Sequence, residues 1–251
     1  YDEVKEKDLI PQERLEFLNT KAYSLLEMKK YAEAKKIFNS LSNEKNEYSN
    51  VATYYSAYID YLQKNNKSAL NGFLKIEETE EYKDIVPYYI VQIYYEEKEY
   101  KKSLEHGKKM LESNPNNKNN SEVYRIMGEC AYRENVFNEA IVYFGKYEKL
   151  AKKLQRNSSY MYGMSFFQEK DYVNAVKYLT RATTPEDSIA QNAYLHLGHS
   201  YLLQNDKNNA RMAFEAASKT DFSKQIQEEA LYNYALSSYE TNAAFGESLS
   251  A

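Results

Sequence analysis

Gly128-Glu-Cys-Ala-Tyr-Arg-Glu-Asn-Val-Phe-Asn-Glu-Ala-Ile-Val-Tyr-Phe144 holds a template that returns along the whole chain. Gly128 is followed twelve residues later by a second small residue, Ala140, with Phe137 three before it and Phe144 four after it. The same spacing gives Ala22/Tyr31/Ala34/Phe38, Gly163/Tyr172/Ala175/Leu179 and Gly198/Lys207/Ala210/Phe214. Weaker copies are Ala57/Asn66/Ala69/Phe73 and Val91/Tyr100/Ser103/Gly107. The second small position falls at 34, 69, 103, 140, 175 and 210, in steps of 35, 34, 37, 35 and 35. Self-similarity at a fixed period of this size marks a repeat architecture.

Two helices and a turn explain the template. Small residues let helix backbones approach closely, and bulky side chains fill the space beside the contact. One such unit cannot bury its apolar face alone, so copies must stack on their neighbours. The pattern resembles the tetratricopeptide repeat family. Its carriers are Leu197-Gly198-x-x-Tyr201 with Ala210, Phe214 and Ala217, and Tyr124-x-x-Met127-Gly128 with Ala140 and Phe144. The late proline of the family motif survives as Pro115, twelve residues after Ser103. Two departures stand out: Asp60 occupies a position that is usually large and apolar, and Ser103 replaces the alanine. The resemblance implies an all-α fold, a right-handed α-α superhelix of about six full repeats and a partial seventh. A Sel1-like or HEAT-type solenoid is the alternative.

Composition agrees with a helical solenoid. Seven glycines and four prolines in 251 residues are too few for a fold made of many tight turns. Tryptophan is absent and tyrosine reaches 27, so tyrosine must make the bulky contacts. Lys+Arg 33 against Asp+Glu 37 gives a mixed surface with net charge −4, lacking the clustered positive footprint of a nucleic-acid binder. A lone cysteine, Cys130, excludes an internal disulfide framework. Two residues past Gly128, it reads as a packed helix residue rather than a reactive thiol.

A single solenoid over residues 1–251 is expected, with repeats at about 12–44, 50–80, 84–115, 121–154, 156–184 and 187–220 and a partial seventh at 225–251. Pro11 suits the first turn of the first helix, where a missing N–H matters little. Helix pairs are expected at Leu15–Met28 with Tyr31–Leu41, and at Val51–Lys64 with Lys67–Glu77. Asp84 is placed to cap the next helix, and Pro87 falls in its first turn. The acidic run 77–81 reads as a solvated corner, since no convergent ligand set accompanies it. Asn114-Pro115-Asn116-Asn117-Lys118-Asn119-Asn120 is the most loop-like stretch and accounts for the long step; it is a candidate for mobility or proteolysis, although the phase resumes at Tyr124. Gln225–Thr241 is a further first helix, and Phe245–Ala251 reads as the opening of its partner, so continuation into more repeats is expected. A chain opening at Tyr1 fits a removed leader or an excised fragment.

Catalytic chemistry is not indicated, and neither is a cofactor. His196 and His199 are neighbours on a helix, but Leu195, Leu197, Gly198 and Ser200 around them supply no further metal ligand. No phosphate-cradling glycine loop, nucleophile elbow or Cys/His pair is present. No stretch approaches the ~18 apolar residues of a membrane span.

The informative feature is a second stripe on the first helix, helix A, of each repeat. At ~100° per residue, positions three before, one after and four after the small residue share a face ~120° from the packing face. Three before come Asn19, Tyr54, Tyr88, Arg125, Tyr160, Leu195 and Tyr232. One after come Tyr23, Tyr58, Gln92, Glu129, Met164, His199 and Leu236. Four after come Leu26, Tyr61, Tyr95, Tyr132, Phe167, Leu202 and Tyr239, which also suit packing on the next repeat. In the resembled family these positions line the concave side and commonly meet ligands. The expected partner-binding groove therefore comprises Tyr23, Tyr54, Tyr58, Tyr88, Gln92, Tyr95, Arg125, Glu129, Tyr132, Tyr160, Met164, His199 and Tyr232. Tyrosine suits such a surface, with a large apolar body, few rotors to freeze and a hydroxyl satisfied in water or in a complex. Arg125, Glu129 and Arg133 form either a salt-bridged strip or an anchor for an incoming carboxylate. Asn19 and Tyr23 depart from the lysine and asparagine clamp by which the family's chaperone-tail binders act, so that specificity is not implied.

The expected role is a non-enzymatic scaffold that binds an extended peptide or a partner helix. A carbohydrate-binding accessory using the same aromatics, with Gln92 and Asn192 as candidate polar contacts, and a self-associating architectural module are the alternatives. The Tyr/Asn/Lys usage resembles that of tetratricopeptide proteins of Gram-negative envelopes, which implies a periplasmic setting.

Overall fold

The computed structural model describes residues 9–241, and those residues contain thirteen α-helices and no strand. The chain packs as two compact units, residues 1–117 and 118–251. In the first, α1 (Pro11–Glu27) pairs with α2 (Tyr31–Asn43), α3 (Ser49–Leu62) with α4 (Asn66–Phe73), and α5 (Val86–Glu96) with α6 (Tyr100–Ser113). In the second, α7 (Asn120–Arg133) pairs with α8 (Phe137–Leu150), α9 (Arg156–Gln168) with α10 (Tyr172–Leu179), and α11 (Ser188–Leu203) with α12 (Lys207–Ser218); α13 (Lys224–Glu240) packs on α12. The described residues thus form six helix-turn-helix pairs and a thirteenth helix, the expected all-α repeat fold. The expected helix within Phe245–Ala251 lies outside the described residues.

The template is the packing rule of each pair. A Cβ added to Gly128 would lie 2.7 Å from the Phe144 ring, and one added to Gly198 would lie 2.4 Å from that of Phe214. Phe38, Phe73, Phe144, Phe214 and Leu179, each four after the alanine of the second helix of a pair, helix B, are fully buried, as are those alanines, Ala34, Ala69, Ala140, Ala175 and Ala210. The third copy inverts the sizes, with Val91 on α5 and Gly107 on α6, both buried. Ser103 fits the alanine position because its hydroxyl donates to the Val91 carbonyl at 3.0 Å, so no buried donor is left unmade.

The turn inside each pair is equally regular. Lys29, Lys64, Lys98, Asn135, Lys170 and Asn205 have φ between 58° and 63°, each five residues before the helix B small position. At Lys64, its N–H donates to the Tyr61 carbonyl (3.0 Å) and the Asn65 N–H to that of Asp60 (2.8 Å); the other five turns repeat this pair of bonds. A left-handed residue followed by this 6→1 bond closes the helix end and satisfies orphan carbonyls.

Asp60 also finds a structural answer. Buried at 3% exposure, its carboxylate receives Lys35 Nζ (2.5 Å), Ser68 Oγ (2.7 Å) and Asn65 Nδ2 (3.3 Å). Two local expectations are corrected. α4 stops at Phe73 instead of reaching Glu77, giving way to i−3 bonds such as Ile76 N–H to the Phe73 carbonyl, while the Thr79 hydroxyl donates to the Ile76 carbonyl. Asp84 does not cap α5; its carboxylate and carbonyl accept the amides of Asn114 and Asn117, both at 2.8 Å, which tether the 114–120 loop. Among the described residues, no helix is long and apolar enough to cross a membrane.

Candidate functional site

In the first unit the expected face is a mutually packed tyrosine cluster. Tyr54 stacks on Tyr82 (4.8 Å between centroids) and lies parallel to Tyr58 (6.0 Å, 4°), while Tyr58 and Tyr61 both meet Tyr89 edge-on. Tyr89 in turn stacks on the buried Phe73. Tyr23, 43% exposed, touches Tyr55 edge-on at the other side. A polar chain runs beside the rings: the Tyr61 hydroxyl donates to Gln92 Oε1 (2.7 Å), and Gln92 Nε2 donates to the Tyr88 hydroxyl (2.8 Å). Tyr54, Tyr58, Tyr88, Gln92 and Tyr95 are half-buried. Burial, then the Tyr89 hydroxyl, raise the Tyr54 pKa far above the ordinary phenol value, and burial pushes Tyr82 up to about 12. These phenols stay neutral across the physiological range.

The second unit presents a different chemistry. Arg125 grips Glu122 through Nε (2.9 Å) and Nη2 (2.6 Å) and Glu129 through Nη1 (2.6 Å), and Ser158 Oγ also donates to Glu129 (2.9 Å). Burial opposes the guanidinium charge, but the two carboxylates more than offset it and raise its pKa. Arg125 is thus committed to internal partners, as in the salt-bridged reading of this strip and not the carboxylate anchor. Glu129 at 4% and Met164 at 6% exposure are buried and present no groove surface: Glu129 lies against Ser158 of α9, and Met164 packs in the cluster of Leu179 and Leu197. Tyr132 and Tyr160 remain half-buried and their phenol pKa values are raised by burial, while the exposed Arg133 is close enough to pull both the other way. His199 pairs with Glu229 at 3.0 Å, and Tyr232 stands 70% exposed on α13.

The carbohydrate contacts considered for Gln92 and Asn192 are not available in the expected form. Both ends of the Gln92 amide are engaged by Tyr61 and Tyr88, and the Asn192 side-chain oxygen is buried. His196 and His199 lie 6.4 Å apart, with His196 Nδ1 against the Asn192 carbonyl and its pKa lowered by burial. No cluster of metal-ligating side chains occurs among the described residues. Cys130 is buried.

Sequence reasoning missed Tyr55, Tyr82 and Tyr89, which support the first unit's rings. Tyr55 and Tyr89 share a position two before the small residue, a recurrence the three-position stripe skipped. Tyr82 comes from the α4–α5 connector and has no periodic signal.

Comparison with known proteins agrees with the fold. Residues 191–224 match the tetratricopeptide repeat family model. No curated protein matches the chain in sequence. Among solved structures, one is YrrB, described as a tetratricopeptide protein with an unusual peptide-binding site: TM-score 0.62, 16% identity, 78% of this chain and 96% of that one. The C-terminal part of a repeat protein from Cytophaga hutchinsonii gives TM-score 0.61 at 18% identity, over 91% of this chain and 90% of that one. A tetratricopeptide protein from Parabacteroides merdae gives 0.58 at 15% identity, over 93% and 94%.

Proposed function

We propose that this chain of tetratricopeptide repeats is a non-enzymatic protein-binding scaffold, and that the tyrosine face of the first unit receives an extended peptide or helix. The observation that carries the reading is the bonded chain Tyr61–Gln92–Tyr88 beside the packed rings of Tyr54, Tyr58 and Tyr89. Rings already held by neighbours lose little freedom when a partner covers them, and preorganisation of this kind favours affinity. Aromatic anchors in a supported patch carry most of the energy of such contacts. YrrB, a structural neighbour, is described as binding peptide, which supports the class of ligand. An envelope setting is part of the proposal and rests on residue usage alone.

The test selects binders from a displayed library of random peptides and measures their affinity for the parent and for a Tyr23→Ser/Tyr58→Ser/Tyr88→Ser variant. Tyr54 is left intact because it supports the cluster from below. At least tenfold weaker binding by the variant, with unchanged helicity, supports the tyrosine face. Equal affinity for both proteins would reject it.

A further inference from the structure

A second site lies in the other unit, at the junction of α8, α9 and α10. A cleft of about 790 Å³ is lined by Lys152, Lys153, Arg156 and Arg181, with Glu148 as the acidic side chain in its wall. Arg156 and Arg181 are paired with Asp187 and Glu148, so Lys152 and Lys153 give the hollow its excess positive charge, in a chain whose net charge is −4. None of the thirteen residues of the expected groove lines it.

The internal bonds divide these cations into supports and free donors. Arg156 is a support: it holds Asp187 through Nη1 (2.6 Å) and Nη2 (2.7 Å) and donates to the carbonyls of Ala182 and Pro185. Glu148 is likewise occupied, accepting from the Tyr178 hydroxyl (2.5 Å) and Arg181 Nη1 (2.9 Å). That leaves the exposed Lys152 and Lys153, which have no ion-pair partner among the described residues, and the outward N–H groups of Arg181. Ser159 also lines the cleft but is buried, at 2% exposure. Arg181 is held in place, stacked 4.9 Å over the Tyr178 ring.

We propose that this cleft binds an acidic peptide segment of a protein partner, with successive carboxylates meeting Lys152, Lys153 and the free edge of Arg181. The size favours a segment over a single ion: clefts of ~300–1,000 Å³ enclose ligands of many atoms. Adjacent mobile ammonium groups act as point charges that suit closely spaced carboxylates of varied geometry. Rim charges of this kind govern encounter rate and salt dependence, so binding must weaken as ions screen it. The proposal is independent of the tyrosine face, which belongs to the first unit.

A fluorescein-labelled octaglutamate peptide, followed by anisotropy, is the probe. The parent protein should bind it saturably in dilute salt and at least tenfold more weakly in moderate salt. A Lys152→Glu/Lys153→Glu variant should lose at least tenfold, with helicity unchanged because both residues are exposed. A Lys67→Glu/Lys75→Glu variant, which makes the same change of charge in the first unit, should bind like the parent. So should the Tyr23→Ser/Tyr58→Ser/Tyr88→Ser variant, so the two readings fail separately. No saturable binding in dilute salt would overturn the proposal, as would equal loss in the Lys67/Lys75 control. Displacement of the peptide by equimolar inorganic pyrophosphate would overturn it in favour of a phosphate site.

Discussion

At the residue scale, contact between a small residue and a bulky one decides the fold, and it can be challenged at Gly163. A Cβ there would sit 2.8 Å from the backbone nitrogen of Leu179, an atom that cannot turn aside as a side chain can. Alanine gains about 1 kcal/mol in helix propensity, but overpacking costs about 1–3 kcal/mol. Gly163→Ala should therefore lose up to about 2 kcal/mol in urea unfolding, where propensity alone predicts a gain. Lys170 offers the opposite case. With φ at 63° it occupies a conformation that strains a side-chain-bearing residue by about 1–2 kcal/mol. Lys170→Gly should leave stability unchanged or raise it by about 0.5 kcal/mol, since relief of strain is partly cancelled by the freer unfolded chain. Lys170→Ile should lower it by about 1–2 kcal/mol, because a β-branched residue fits that region worst. The small-residue ladder was legible in the sequence because steric demand leaves few substitutes at Ala140 or Gly198. The left-handed turn was not, because lysine and asparagine stand where glycine would have marked it. Only their fixed distance from the helix B alanine carried the signal.

At the scale of the element, polar groups bind helices that the apolar template merely stacks. Asp60 and Lys35 join α3 to α2 through a carboxylate that is almost wholly enclosed. Asp60→Ala strands Lys35 and the Ser68 hydroxyl, and should cost about 2–4 kcal/mol. Lys35→Met/Asp60→Leu removes both charges together and should recover most of that loss, as replaced ion pairs commonly do. A double-mutant cycle in urea reads both values; equal loss by the single and double variants would show that volume rather than charge matters. Asp187 links α9 to α11 in the second unit. The Arg156 hydrogen bonds, then the Ala190 N–H that it caps, hold its carboxyl below the ordinary carboxylate range. A depressed folded pKa means its contribution is complete above the unfolded value and fades as pH falls through the folded one. The melting temperature of the parent should therefore drop below about pH 4, and Asp187→Asn should flatten part of that drop while lowering the value at pH 7. Such links were hidden in the sequence because each depends on one particular neighbour. Asp84 shows the difficulty: the start of a helix suggests a cap, yet the Asn114 amide some thirty residues later captures the carboxylate. The tyrosine stripe was legible as a face, but whether a member lay open or covered depended on the adjoining repeat, which buries Met164 and Glu129 while leaving Tyr232 exposed.

At the scale of the molecule, the period has one irregular step, from Ser103 to Ala140, and the division between the two units falls inside it, at Asn117 and Lys118. Periodicity alone suggested one unbroken body, since the phase resumes after the insertion. Repeat proteins are held by nearest-neighbour contacts, so any segment with enough stacked pairs can fold without the rest. Each unit meets that condition by its own core. The first gathers Phe38, Leu41 and Ile59 in one cluster and Phe73, Ile90 and Ile93 in another. The second has one cluster around Leu179 and Leu197, and another around Phe214 and Ala230. Expressed as separate chains, residues 1–117 and 118–251 should each give a helical far-ultraviolet spectrum and a single cooperative urea transition. Their m-values should each be smaller than that of the intact chain, in proportion to the surface each exposes on unfolding. A fragment with helical signal but no cooperative transition would show that its clusters do not suffice alone. Two fragments that both unfold cooperatively would show that a few extra residues in one connector let a continuous repeat be built from two independently stable cores.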